Sequence, residues 1–209
     1  MTENLRATFE RETNVSRETM EMLDEYANLL KKWNPAINLV SKSTIDSLWD
    51  RHFYDSAQIY NFKPDFSCNW VDIGSGGGFP GLVMAIIANN STENVYLTLV
   101  ESDVRKATFL RTVIREIGLN ATVIAKRVEE IASLNADILS ARALAPLDKL
   151  LEFAELHLKK DGFAIFLKGQ KYKAEIAESY VRWRYEFEET VSKTNPEGAI
   201  LKIGGISRV

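Results

Sequence analysis

The run Trp70-Val71-Asp72-Ile73-Gly74-Ser75-Gly76-Gly77-Gly78-Phe79-Pro80-Gly81 limits the fold more than any other part of the chain. An apolar strand ends in a glycine loop that opens directly into a helix. With most side chains absent, the loop backbone reaches φ values that other residues resist, and it can pass within van der Waals distance of a ligand. Pro80 presets φ for the first helical turn, where its missing N–H costs nothing. Gly81 lets that helix sit close to the strand it follows. Strand, glycine loop and helix in this order make a nucleotide-sized pocket.

Two cofactor classes fit the loop. Gly76, Gly78 and Gly81 satisfy the dinucleotide pattern G-x-G-x-x-G, with Glu101 twenty residues beyond Gly81, where an acid would hold a ribose hydroxyl. Read one step earlier, Asp72, Gly74, Gly76 and Gly78 spell D-x-G-x-G-x-G. That second pattern resembles the first motif of the S-adenosylmethionine-dependent methyltransferases, whose cofactor carries ribose and adenine but no pyrophosphate. The glycines alone leave both readings open, beside that of a tight turn with no ligand.

The rest of the chain separates them better. Ser16 is placed to cap a helix in which Met20, Leu23, Ala27, Leu30 and Trp33 recur at helical spacing until Asn34-Pro35 ends it. A second helical stretch is expected from about 44 to 60, and no strand precedes residue 69. From there the period alternates between strand and helix, the pattern of parallel β-α-β units. Strands are expected near 69–73, 95–101, 121–126, 136–141 and 163–168. Helices are expected over 80–89, from a Ser102 cap to Gly118, from Pro146 to before Asp161-Gly162, and around 171–180. Two last strands, near 185–191 and 199–206, are too closely spaced for a helical crossover and should pair antiparallel. The expected fold is α/β and Rossmann-like: a mostly parallel sheet of about seven strands with an antiparallel last pair, behind an N-terminal helical cap. Its division is a cap over 1–66 and a class I methyltransferase domain over 67–209. A dehydrogenase would normally continue into a second substrate domain, for which 209 residues leave no room.

Bulk properties exclude other classes. A hydrophobic content of 45% supports a full core without disulfides, and Cys68, the only cysteine, has no internal partner. One cysteine and two histidines argue against a zinc site. No run is apolar enough for a membrane span, and no signal-peptide pattern opens the chain, so a cytoplasmic monomer is expected. The net charge of −3 is no general argument for nucleic acid. From Val104 to Arg127, however, six basic residues face a single acid, and a second run holds Lys168, Lys171, Lys173, Arg182 and Arg184. Such runs are ordinarily solvated helix faces, and gain weight only if they surround one pocket mouth.

In an open α/β sheet the ligand sits at the carboxyl ends of the strands, which directs attention to Glu101, Val128, Glu129 and Arg142. Glu101 suits ribose hydroxyls, Val128 and Glu129 suit adenine, and Arg142 falls near the reacting end. Here the chain resembles a specific family. Asn38-Leu39-Val40, Arg51-His52-Phe53-Tyr54-Asp55-Ser56, the segment Asp72 to Leu82, Val100-Glu101-Ser102, Arg127-Val128-Glu129, Ser140-Ala141-Arg142-Ala143 and Leu167-Lys168-Gly169 are similar to motifs of the bacterial small-subunit ribosomal RNA guanine-N7 methyltransferases, the glucose-inhibited division protein B family. The likeness spans roughly residues 15 to 190. It implies transfer of a methyl group from S-adenosylmethionine to N7 of one guanine in a hairpin loop of 16S ribosomal RNA, free or within the small subunit. It implies cofactor contacts from Gly74, Phe79, Val128, Glu129 and Arg142; the general methyltransferase pattern adds Gly76, Gly78 and Glu101. Gly77 replaces the family's common alanine. The segment Leu201 to Val209 lacks the longer basic, proline-containing tail of many members.

The chemistry agrees with a missing motif. Methylating an exocyclic amine needs a polar, proline-rich motif after the fourth strand, and Ala141 to Pro146 supplies none. Guanine N7 carries an available lone pair and no proton, so only in-line alignment is required and no catalytic acid or base is expected. Arg142 would hold the cofactor carboxylate or donate to guanine O6. Arg51, His52 and Lys168 are candidate RNA contacts, with a structural role for His52 near Asp55, and a solvated strand end for Lys168, as the competing readings. Two other functions remain open: a methyltransferase of the same fold with another substrate, and a non-catalytic nucleotide-binding ribosome assembly factor.

Overall fold

The computed structural model describes residues 5–89 and 94–209; the first four residues of the expected cap lie outside them. Two helices open the chain, α1 (Leu5–Thr13) and α2 (Arg17–Ile37). Ser16 caps α2 by accepting from the Thr19 N–H, as its position before the apolar pattern suggests. The helix does not stop at Asn34-Pro35. Pro35 falls in the last turn, where it removes one hydrogen bond, and the chain leaves the helix only at Asn38, whose left-handed backbone directs its N–H to Asn34 O. The Asn34 side chain also accepts from the Val40 N–H, so it organises the exit rather than breaking the helix. The α1 helix has no clear apolar period and was not foreseen; Phe9 alone anchors it in the core.

The stretch expected as one helix near 44–60 is a mosaic. A 3-10 turn at Ile45–Ser47, a π-helical turn at Trp49–Tyr54, a short α3 (Asp55–Ala57) and a second 3-10 turn at Gln58–Phe62 follow one another. A π turn places an extra residue in the ladder and is common where side chains must be re-aimed at a site. This one carries Arg51 and His52, with Asp55 immediately after it.

The remaining elements are β1 (Cys68–Ile73), α4 (Gly81–Ala88), β2 (Val95–Val100), α5 (Val104–Ile117), β3 (Ala121–Ile124), β4 (Ala136–Arg142), α6 (Leu147–His157), β5 (Leu158–Lys168), α7 (Tyr172–Ser179), β6 (Trp183–Val191) and β7 (Ala199–Arg208). The seven strands run in the order β3-β2-β1-β4-β5-β7-β6. Pairing is parallel from β3 to β5 and antiparallel on both sides of β7. The strand order reverses between β1 and β4, the switch point at which such sheets bind ligands. Asp103, not Ser102, caps α5, because its carboxylate reaches the N–H groups of both Arg105 and Lys106. Gly118 closes that helix in the left-handed region as expected. The β5 strand begins five residues earlier than its apolar run, carried through Asp161-Gly162 by an irregularity in its pairing with β4. At Gly162 any side chain would meet the Ala136 carbonyl, which is why glycine stands in a strand.

Both faces of the sheet are covered. One core joins Met20, Tyr26 and Phe53 of the N-terminal segment to Trp70 and Phe109. The other lies under α6 and α7, around Leu151, Phe166 and Trp183. The helical segment before β1 therefore shares its apolar core with the sheet.

Candidate functional site

The spacing of the D-x-G-x-G-x-G loop follows from backbone sign. Gly74, Gly76 and Gly78 all have positive φ, at 64°, 56° and 99°, so every second residue of the loop reverses direction. Gly76 faces open space and forms the floor of a cleft. Gly78 does not line that cleft. Its α-carbon abuts the Leu82 side chain and the Tyr26 hydroxyl, which donates to Gly77 O, so this glycine serves the packing of α2 and α4 against the loop. Of the three loop glycines expected at the cofactor, Gly74 and Gly76 line the cleft and Gly78 lies behind it. At Gly74 a side chain would collide with Leu144, which folds over the loop from the β4–α6 connection.

Beneath the loop, Asp72 is fully buried. Its Oδ1 accepts from Ser140 Oγ at 2.7 Å, and Ser140 Oγ accepts from the Trp70 indole N–H at 3.0 Å. The other oxygen, Oδ2, packs against Gly81 without a hydrogen-bond partner. Burial raises the Asp72 carboxyl to about 6, an effect that the Ser140 hydroxyl partly offsets.

The cleft above the loop has a volume of about 550 Å³. Glu101, at the end of β2, lies in its wall and is buried. One carboxylate oxygen accepts from the Gly76 N–H and the other from the Asp103 N–H, each at 2.8 Å. Each oxygen keeps a lone pair for a second donor, so the carboxylate is pre-aimed for a pair of hydroxyls. Val128 and Glu129 begin a 3-10 turn after β3, with Val128 buried in the wall and Glu129 exposed at the mouth. His157 donates from Nε2 to Val128 O at 3.0 Å and fixes that turn from behind. Three of the basic residues between 104 and 127, Lys106, Lys126 and Arg127, do surround the mouth.

Arg142, at the end of β4, is held on several sides. Nη1 donates to Asp55 Oδ2 at 2.9 Å and to Arg51 O at 3.2 Å, and Nη2 donates to His52 Nδ1 at 2.8 Å. The guanidinium stacks 4.9 Å above the Phe79 ring. These bonds leave Nε–H and one Nη2–H for a ligand. Because Arg142 can only donate, His52 Nδ1 must be unprotonated, and Nε2–H then donates to Thr44 Oγ1 at 2.8 Å. Burial, followed by the charges of Arg142 and Arg51, pushes the imidazole down to about 3. The expected His52–Asp55 contact is replaced: Asp55 pairs with Arg142, and its Oδ1 accepts from Thr194 Oγ1 at 2.6 Å.

A second cleft of about 320 Å³ adjoins the first, with His52, Arg142 and Ala143 belonging to both walls. Arg51 and Lys168 line it. The Lys168 ammonium is already engaged, 2.6 Å from Glu175 and 3.0 Å from Ala145 O, while Glu175 also accepts from the Leu147 N–H. Lys168 thus fastens the β4–α6 connection, in which Ala143 has a φ of 52°. The sequence reading assigned no site role to Thr44, Leu144 or Thr194, since contacts over such separations leave no local signal. Asp55 was findable, three residues from His52 in one motif.

A buried acid after the second strand, a glycine floor, and paired clefts at the strand ends define a Rossmann-like methyltransferase fold. A solved S-adenosylmethionine-dependent methyltransferase from Aquifex aeolicus shares it, with a TM-score of 0.58 at 13% identity over 78% of this chain and 97% of that one. The model of the GidB family, rRNA small subunit methyltransferase G, matches residues 19–199, and the chain belongs to that family. Ribosomal RNA small subunit methyltransferase G of Ruegeria sp. (strain TM1040) is 50% identical over 95% of this chain and 96% of its own length. The protein of that name from Gluconobacter oxydans (strain 621H) is 48% identical over 94% and 99%. Among the described residues, no helix is long and apolar enough to cross a membrane.

Proposed function

We propose that this chain transfers the methyl group of S-adenosylmethionine to N7 of a guanine in a hairpin loop of 16S ribosomal RNA. The observation that carries the reading is Arg142, fixed in place with two donors to spare on the wall common to two clefts. The cofactor, when bound, supplies an electrophilic methyl group on a sulfonium. The residues of the first cleft fit such a molecule: Glu101 offers lone pairs to two ribose hydroxyls, Val128 an apolar face and Glu129 an acceptor for adenine, and Gly74, Gly76 and Phe79 a floor close to the methionine portion. Arg142 has donors for the α-carboxylate. Family membership and relatives named as small-subunit ribosomal RNA methyltransferases support the substrate class.

The reaction needs alignment and no proton transfer, since N7 is unprotonated at neutral pH. His52 suits this role as a scaffold: it is neutral, with Nδ1 held by Arg142 and Nε2 by Thr44, and so has no free nitrogen to act as a base. Arg51 and the basic residues at the mouth offer charge to phosphates, and Lys168 contributes by holding the adjoining connection. Both clefts are built from one chain, so we take the acting unit to be a monomer in the cytoplasm, its helical segment over 1–66 serving as a cap on a methyltransferase domain over 67–209.

The test is methyl transfer from labelled S-adenosylmethionine to small subunits from a strain lacking the enzyme, with the modified nucleotide mapped. 7-Methylguanine at one hairpin-loop position is expected. Cofactor binding without label in ribosomal RNA would overturn the reading in favour of another substrate or a non-catalytic assembly role. Arg142→Ala separates its two roles: lost cofactor affinity indicates the carboxylate, whereas lost transfer at unchanged affinity indicates guanine O6.

A further inference from the structure

We propose that the second cleft seats a single nucleotide of the RNA, with its base turned out of the strand, and that Gly169 keeps this seat open by its missing side chain. The inference rests on the methyltransferase reading above and adds the entry wall for the acceptor. The cleft lies at the carboxyl ends of β4 and β5, directly across Arg142 and Ala143 from the first. For in-line attack an acceptor atom must reach past the rim of this shared wall and meet the methyl group with no side chain between them. Its volume of about 320 Å³ suits one nucleotide and is too small for a base pair. Enzymes that modify a base take single-stranded substrate or flip the base out for this reason.

The walls have the required chemistry. Leu167, Ala199 and Ile200, all buried, form an apolar backing beneath the cleft. The Asn195 side-chain amide oxygen, which accepts only a long bond of 3.3 Å from the Glu197 N–H, has capacity for the ring and amino donors of guanine. Arg51 uses one guanidinium nitrogen on Thr194 O at 3.3 Å and is otherwise exposed, with donors left for a phosphate.

Gly169 differs from the loop glycines. It lacks a positive φ, and a Cβ built on it would meet nothing within 4 Å. Neither backbone conformation nor close packing calls for glycine there. Gly169 is exposed and lines the second cleft. A large side chain at this position should enter that space while leaving the fold intact.

The experiment is Gly169→Trp, with Gly204→Trp as a bulk control at another open glycine, farther along β7 and outside the lining of either cleft. S-Adenosylhomocysteine affinity is measured by calorimetry, and methyl transfer to unmodified small subunits by label incorporation. We expect cofactor affinity within about twofold of wild type and transfer reduced at least about a hundredfold, since displacement of the acceptor by even an ångström has that effect. Transfer within about threefold of wild type, with affinity retained, overturns the proposal. If the tryptophan lowers the melting temperature or cofactor affinity, Gly169→Leu decides on the same two readings, and joint loss in both variants also overturns it by assigning the wall to the cofactor. Failure of the wild-type protein to label ribosomal RNA would instead overturn the function itself.

Discussion

Removing the Asp55 carboxylate, which lines the second cleft, should disable Arg142 without touching the floor of the first. The two side chains are 17% and 16% exposed, and the Nη1–Oδ2 distance is 2.9 Å. At that distance, and an effective dielectric of about 20, the gross attraction is about 6 kcal/mol. Desolvation of both groups offsets much of it, and His52 and the Arg51 carbonyl still hold the guanidinium afterwards. We therefore expect Asp55→Ala to cost about 2–3 kcal/mol of stability, below the 3–5 kcal/mol typical of a fully buried pair. With its carboxylate partner gone, Arg142 is still held but mis-aimed, and forfeits a charge-assisted bond worth about 1.5–3 kcal/mol to the cofactor carboxylate, so affinity for S-adenosylhomocysteine should fall about ten- to hundredfold. Calorimetric titration and urea unfolding of Asp55→Ala, Arg142→Ala and the double variant measure both quantities. On the Arg142→Ala background, Asp55→Ala should change affinity by less than about 0.5 kcal/mol. Equal losses on both backgrounds would refute the claim that Asp55 acts through Arg142.

Three further outcomes are expected. Gly78→Ala should lose about 2–5 kcal/mol in thermal or urea unfolding, because it combines a left-handed backbone with collisions at Leu82 and Tyr26. Glu101→Gln should weaken S-adenosylhomocysteine binding about ten- to hundredfold by calorimetry, since one amide group must then face a backbone N–H of Gly76 or Asp103. The His52 imidazole, lowered to about 3, stabilises the fold fully above its unfolded value of about 6.5 and loses that contribution as pH falls toward 3, at up to about 1.4 kcal/mol per pH unit. Urea unfolding between pH 7 and 4 should show that decline flattened in His52→Gln. Asp72, raised to about 6, works in the opposite sense and gains stability as pH falls from about 6 toward 4, so the comparison is cleanest on an Asp72→Asn background.

The sheet was legible because β1, β2, β4 and β7 contain apolar runs set off by turn residues, and the helices between them have a period or a cap. The 44–62 stretch was not, since apolar residues at helical spacing do not distinguish α from π or 3-10 turns. In the candidate site, the glycine loop and the strand-end residues could be read from position alone. The company each residue keeps could not. Lys168 and Arg142 are both cations after strands, but one is neutralised by Glu175, 2.6 Å away, while the other keeps two donors for a ligand. Gly78 shares the spacing of Gly74 and Gly76, yet it faces Tyr26 from a helix some fifty residues earlier.

The insertion of β7 between β5 and β6 has a consequence for the order in which the molecule matures. On the ribosome, the loop of β1, the acid of β2 and Arg142 of β4 are all synthesised before residue 150. The β5 strand then waits with one edge unpaired until β7 arrives. Thr194, the second anchor of Asp55, lies in the loop that delivers β7. The two clefts thus mature at different moments of translation, and a chain stopped before Ser192 would have the residues that line the first cleft but lack the side of the second formed by Ser192, Thr194, Asn195, Ala199 and Ile200.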